Sequence, residues 1–397
     1  MFLRAARVAL IVLLGVGCVA EPAGDVDVDE EPGETQDPFT APAGAPIHFE
    51  DACRPGTKVT IAAVGDVLLH SPLQRQAYST RGFASLWSKA QPLFRRADLT
   101  YANLEGPCAD GLTRSGPAPD PGKVFDGSVY SSYPQFNYHP SLIGALKDAG
   151  IDVVSTANNH AMDRGRRGVD RTVENLRREG MPFSGTHASS DEQTAPWHVM
   201  TEAKGVRIAW LACTYDTNGI PDPAKQVLGC YRDRGAVLST IASLRQDPNV
   251  DAVIVTPHWG VEYDHTPEAR ERKLAHDMLD AGATAILGGH PHVVQPMEKY
   301  TTADGREGFV IYSLGNFVSG QSGVAKRSSL ILYLGLTKGA DGKVTINGVR
   351  HAPLEMRSSP WSTSYATGES LALTTRLLAE ENRIGPDEEL VTNPECN

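Results

Sequence analysis

The chain has 397 residues, 41% hydrophobic and 21% charged, with a formal net charge of −11. That balance is globular and excludes wholesale disorder, and the length suits one large or two modest domains. The acidic excess argues against a grip on nucleic acid through its phosphates.

The first residues read as an export signal. Arg4 and Arg7 give a positive start, Val8 to Val16 is an apolar run, and small residues follow. The run is too short to span a bilayer as a stable helix. It ends in Leu14-Gly15-Val16-Gly17-Cys18, which resembles a bacterial lipobox; that resemblance implies that residues 1–18 are a lipoprotein-type signal and that Cys18 is lipidated. Gly15 departs from the Leu usual there, and plain cleavage near Ala20 is the alternative. Residues 19–51 carry ten Asp and Glu and no Lys or Arg, among many Pro and Gly. Such a segment buries too little surface to order itself, so it reads as an acidic leash holding a body of residues 52–397 away from a membrane. Nearly all of the net charge belongs to this leash.

Export permits disulfides. Beyond Cys18 there are five cysteines, an odd number, so at least one thiol is free or pairs outside the chain. Cys213 and Cys230 flank one loop and are the favoured pair; Cys53 and Cys396 sit at opposite ends of the body and would staple its termini. No Cys-x-x-Cys occurs, against a zinc knuckle.

Along the body, strand, loop and helix alternate. Val59–Val64 is a β-rich apolar run ending in Gly65-Asp66. Leu86, Trp87, Ala90, Leu93 and Phe94 recur at helical spacing. Leu99–Ala102 is a second strand. Residues 106–140, rich in Gly, Pro, Ser and Tyr, read as an insertion long enough to cover a site. Ser141 caps a helix that stops at Gly150. Asp152–Ala157 is a strand, and Val169, Val173 and Leu176 mark the next helix. Strands follow at Val206–Cys213, Asp251–Thr256 and Ala283–Leu287, with helices at Ala236–Leu244 and Glu268–Leu279 between them. The β-like runs Gly308–Leu314, Ser329–Leu336 and Lys343–Val349 suggest a second sheet beside the first, and a helix near 369–381 ends the chain. The alternation argues for a layered α/β domain.

The informative feature is where the polar residues fall. Successive strands end in Asp66, in Asn103-Leu104-Glu105, in Asn158-Asn159-His160 with Asp163 beyond, in His258 with Glu262 beyond, and in His290-Pro291-His292. In an open α/β sheet the carboxyl ends of the strands form the ligand crevice. Mixed carboxylate, amide and imidazole donors suit Mn, Fe, Zn or Mg, and two such ions clamp a displacement centre from both sides. Blander readings exist for some of these residues. Asp163 would serve equally as a helix cap and Glu262 as a surface acid, and His48, His139, His187, His198, His276 and His351 read as hydrogen-bonded loop residues.

The order of these elements, with Ser313-Leu314-Gly315-Asn316-Phe317 after them, resembles the CapA-type poly-γ-glutamate capsule-synthesis family, from about Val59 to Phe317. The resemblance implies a layered αββα sandwich of the metallophosphoesterase type and one or two divalent ions. By motif, Asp66 and His292 would bind one ion, and Asn159, His258 and His290 the other. Glu105 would bridge, Asn103 would be a further metal ligand, and His160 with Asp163 would supply acid catalysis, a metal-held hydroxide being the nucleophile. Two departures weaken the first site: Asp66-Val67-Leu68 lacks the usual Asp-x-His histidine, with His70 two residues late, and Glu105 stands where an Asp is usual.

The expected function is an exported, membrane-tethered metallohydrolase-type protein that makes, transports or anchors an anionic surface polymer. Its expected substrates are a phosphoester or amide, and its partners are the membrane, through a lipid anchor, and subunits of a membrane synthase. The alternative is a non-catalytic, metal-dependent polymer-binding scaffold. A serine hydrolase is disfavoured, because no Gly-x-Ser-x-Gly elbow occurs.

Overall fold

The computed structural model describes residues 40–191 and 195–396; the expected export signal, Cys18 and residues 19–39 lie outside the described residues. From Val59 onward β1 (Thr57–Leu68) is buried on both faces but for the half-buried Thr60, which marks a central strand. After it come α1 (Ser71–Tyr78), α2 (Gln91–Phe94), β2 (Leu99–Leu104), a hairpin of β3 (Leu112–Thr113) and β4 (Gly116–Pro117), α3 (Ser141–Ala149), β5 (Val153–Ser155), α4 (Gly165–Glu179) and β6 (Phe183–Ser184). β2, β5 and β6 extend the sheet from β1 in parallel.

The middle of the chain supplies β7 (His198–Ala203), β8 (Val206–Thr214), α5 (Arg234–Gln246), β9 (Ala252–His258), α6 (Ala269–Ala281), β10 (Ala285–Leu287), β11 (Met297–Thr301) and β12 (Glu307–Ile311). These strands form a second sheet in the order β11-β12-β10-β9-β8-β7. The chain then returns with β13 (Asn316–Ser319), α7 (Val324–Arg327), β14 (Ser328–Lys338), β15 (Val344–Arg357), β16 (Ser362–Tyr365) and α8 (Gly368–Leu378). The first sheet therefore reads β16-β15-β14-β1-β2-β5-β6, with β13 parallel to the end of β1.

Ile61, Tyr101, Trp210, Ile254 and Leu332 fill the space between the two sheets. The outer face of the first sheet packs on Leu73, Leu142, Leu146 and Leu176 of its helices. The outer face of the second packs on Val237, Ile241, Leu274 and Met278 of α5 and α6. This is the expected αββα sandwich.

Four details differ from expectation. β14 and β15 do not start a second sheet but pair antiparallel beside β1, while β12 joins the middle strands. The helical spacing at residues 86–94 yields only a turn and the short α2, because Pro92 resets the start of the helix. Ser141 is the first residue of α3 rather than its cap, and Pro140 precedes it. The leash also ends earlier than residue 51: Ala41, Ile47 and Phe49 are buried in the inter-sheet core, and Asn382 accepts a hydrogen bond from the Ile47 amide at 2.9 Å. Both favoured disulfides, Cys53–Cys396 and Cys213–Cys230, are present, and Cys108 is free and buried.

Candidate metal centre

The strand ends converge because both sheets present their parallel strands to the same edge. Asp66 closes β1 at a point where the pairing with β2 and with β13 shifts register, an irregularity that re-aims a side chain. A Cβ on the preceding Gly65 would sit 1.8 Å from the Gly315 carbonyl oxygen, so only glycine lets the two backbones approach. Gly289, before the two histidines, would place a Cβ 2.9 Å from Asp66 Oδ1. His290 and His292 hold φ of 100° and 56°, a conformation that costs about 1–3 kcal/mol each and clusters at functional sites.

Asp66, Glu105 and His292 form one buried group, and Glu105, His258 and His290 a second; within each, one donor atom per residue lies within 4.8 Å of the others. Glu105 belongs to both. Its Oε1 is 3.3 Å from His258 Nε2 and 3.9 Å from His292 Nε2. Neither Glu105 oxygen nor His290 Nδ1 has a hydrogen-bond partner. A buried ionisable group without a partner is costly, and a divalent ion is the partner this donor set fits. Asn159 Oδ1 lies 3.0 Å from His258 Nε2, on the same side.

In the metal-free protein the charges divide the two histidines: His290 is held neutral and His292 protonated, so an ion at the first group would have to displace the His292 proton. Burial would raise the Asp66 pKa, but the hydrogen bond to His292 and the charges of His258 and His292 hold it below its ordinary value. Burial opposes a charged His292, yet Glu105 and Asp66 push its pKa up to about 10. His290, buried and facing His258, His292 and His160, is driven well below the ordinary histidine range; neutral imidazole is the ligating form.

Beside this pair of groups, His160 Nδ1 meets Asp163 Oδ2 at 2.7 Å. Burial alone would lower the His160 pKa, but the Asp163 charge raises it; burial raises Asp163 as well. Asp163 also accepts the Phe136 amide at 2.6 Å, so it orients His160 rather than capping α4. The insertion of residues 106–140 thus touches the site, and Tyr138 donates to the Glu105 carbonyl at 2.6 Å.

The family described as bacterial capsule synthesis protein PGA_cap matches residues 60–321. The chain belongs to that family. It is 29% identical over 290 residues to the "PGA biosynthesis protein CapA" of Bacillus subtilis (strain 168), covering 72% of this chain and 70% of that one. It is 30% identical over 288 residues to the "Capsule biosynthesis protein CapA" of Bacillus anthracis, covering 70% of this chain and 64% of that one. Among solved structures, the Haemophilus influenzae NAD nucleotidase overlaps 85% of this chain and 65% of its own, at 13% identity and a TM-score of 0.48.

The family's motif residues do not all hold the positions expected of them. Asp66, Glu105, Asn159, His258, His290 and His292 come together. Asn103 is a correction: its Nδ2 donates to Asp66 at 2.8 Å and lies 3.2 Å from His258 Nδ1, and its oxygen accepts from Ser155, so it positions ligands and offers no free donor atom. Among the described residues His70 belongs to none of the ligand groups, and its Nδ1 accepts the Gly320 amide at 3.1 Å. Leu68, at the vacated position, is packed in the outer core. Glu262 is exposed and forms a third group with His290 and His292. Two supporting residues had gone unassigned. Asn316 Oδ1 lies 3.1 Å from His292 Nδ1 while its Nδ2 donates to the His292 carbonyl. The Tyr215 ring sits 4.4 Å from that of His290. Tyr215 follows the end of β8, the signal that marked the others, whereas Asn316 opens β13.

Proposed function

We propose that this chain is an exported, envelope-located, metal-dependent hydrolase-type protein that makes, transports or anchors a glutamate-type surface polymer. One observation carries the chemistry: Glu105 is shared by two ligand groups and has no hydrogen-bond partner on either oxygen. Family membership and the relatives' names, "PGA biosynthesis" and "capsule biosynthesis", support the polymer. Asp66, Glu105 and His292 would hold one ion, and Glu105, Asn159, His258 and His290 another, from among Mn, Fe, Zn and Mg.

Such ions would supply Lewis-acid activation of water and of a phosphoryl or carbonyl oxygen. The chain's own residues do the rest. Asp163 fixes the His160 ring through Nδ1, leaving Nε2 to give a proton to the leaving group of a phosphoester or amide. Asn103 and Asn316 hold Asp66 and His292 in place. Membrane attachment would run through a lipid on Cys18. None of the described helices is long and apolar enough to cross a membrane.

The test is turnover of an aryl phosphodiester and of a γ-glutamyl amide while Mn²⁺ is titrated in, with His160→Ala beside the wild type. Metal-dependent turnover that falls about 10²–10⁴-fold in the variant supports the hydrolase. The packing of Leu68 where the motif has a histidine favours a second reading, a metal-dependent scaffold for polymer without turnover. Metal retention with no turnover of either substrate would select it.

A further inference from the structure

Arg164 immediately follows the dyad residue Asp163. It is 6% exposed, yet its guanidinium donates only to neutral oxygens: the carbonyls of Leu112, Ser128, Val129, Gln135 and Asp163, and the Ser131 hydroxyl. Among the described residues no carboxylate lies within ion-pair distance of it. It stands at the N-cap of α4, whose first turn adds Arg166 and Arg167 and contains no acidic residue. Helix N-termini favour acids and repel cations, so this arrangement is the reverse of the stabilising one. Arg114, from the turn of the β3–β4 hairpin, completes the wall of a cavity of about 470 Å³.

 Of the four arginines only Arg166 leans toward a carboxylate, Asp170 at 3.8 Å.

A buried cation with no carboxylate in contact is costly, and gathering three more arginines beside it adds repulsion that a bound anion would relieve. The planar guanidinium fork matches carboxylates. We propose that this cleft is a carboxylate-binding subsite that takes a stretch of acidic polymer alongside the His160–Asp163 pair. The identity of the polymer rests on the function proposed above; the site itself rests on the arginines.

The test uses the full chain and a fluorescein-labelled γ-glutamate oligomer, followed by anisotropy, with metal content measured in the same samples. The triple variant Arg114→Gln, Arg166→Gln, Arg167→Gln should weaken binding about ten-fold with metal content unchanged. Arg167→Glu alone should weaken it in the same direction, should the triple variant fail to fold. Unchanged affinity in the variants overturns the subsite. So does competition by inorganic phosphate or an oligonucleotide as effective as that of unlabelled oligomer, which marks a general anion site. Oligomer binding lost in His290→Ala but kept in the arginine variants places the polymer at the metal centre, overturning the subsite while leaving the proposed function standing. No oligomer binding by a wild type that retains metal overturns both the subsite and the polymer, but not the metal centre.

Discussion

The two ends of the parallel strands use the same residue types in opposite ways. At the amino end, Asp98, Asp152 and Asp251 each precede a strand and accept the backbone N–H of its neighbour, from Thr60, Thr100 and Arg207 at 2.8–2.9 Å. Asp251 also meets Arg207 Nη2 at 3.0 Å and Lys338 Nζ at 2.8 Å, tying the second sheet to β14 of the first. At the carboxyl end, Glu105, Asn158, Asp163 and His290 each leave a buried polar atom without a partner. A satisfied carboxylate is structural; an unsatisfied one at a convergence of strands awaits a ligand. Satisfaction, more than burial or charge, separates the two.

Matched substitutions break or sharpen that contrast. Glu105→Gln removes a buried charge that no hydrogen bond in the protein satisfies. It should cut metal affinity by more than the roughly 10–100-fold that changes in outer-shell groups cost, and it should leave the metal-free protein's melting temperature unchanged or higher. A large fall in metal-free stability would show that Glu105 is a structural group. Asn316→Ala, which loosens His292, should cost metal affinity by about 10–100-fold; calorimetric titration would read it, and unchanged affinity would remove Asn316 from the site.

Asp251→Asn should do the converse, costing about 1–3 kcal/mol of stability in denaturant melts with metal content untouched. Its pH dependence has a definite sign. Burial alone would raise the Asp251 pKa, but hydrogen bonds from Arg207 and Lys338 bring it to about 2. A carboxylate held below its unfolded value stabilises fully above that value and loses the contribution as pH falls through the folded pKa. The wild type should therefore lose its stability advantage over Asp251→Asn between about pH 4 and pH 2, and a difference that persists below pH 2 would contradict this assignment.

Much of the centre was legible because its donors follow short β-branched runs and sit beside glycines that close backbone approach requires. What was not legible depends on partners far along the chain. Asn103 lies among ligand-type residues, and only the direction of its amide, toward Asp66, shows it to be a support. The return of β14 and β15 to β1 is a matter of long-range pairing that local periodicity does not encode. Residues 41–49 read as leash because Ala41, Ile47 and Phe49 are scattered among Pro and Gly, and only their docking on the core reveals them as part of the body. Nothing local in the sequence singles out Arg164; its surroundings appear only when the insertion wraps it.

The central claim is that the unsatisfied carboxyl edge is a metal centre organised on Glu105. The most direct measurement is the metal content per chain after equilibration with Mn²⁺ and desalting, in the wild type and in Glu105→Gln. The account predicts retained metal, up to two ions per chain, in the wild type and its loss in the variant. A wild type that retains none, with a melting temperature indifferent to added Mn²⁺, would contradict it.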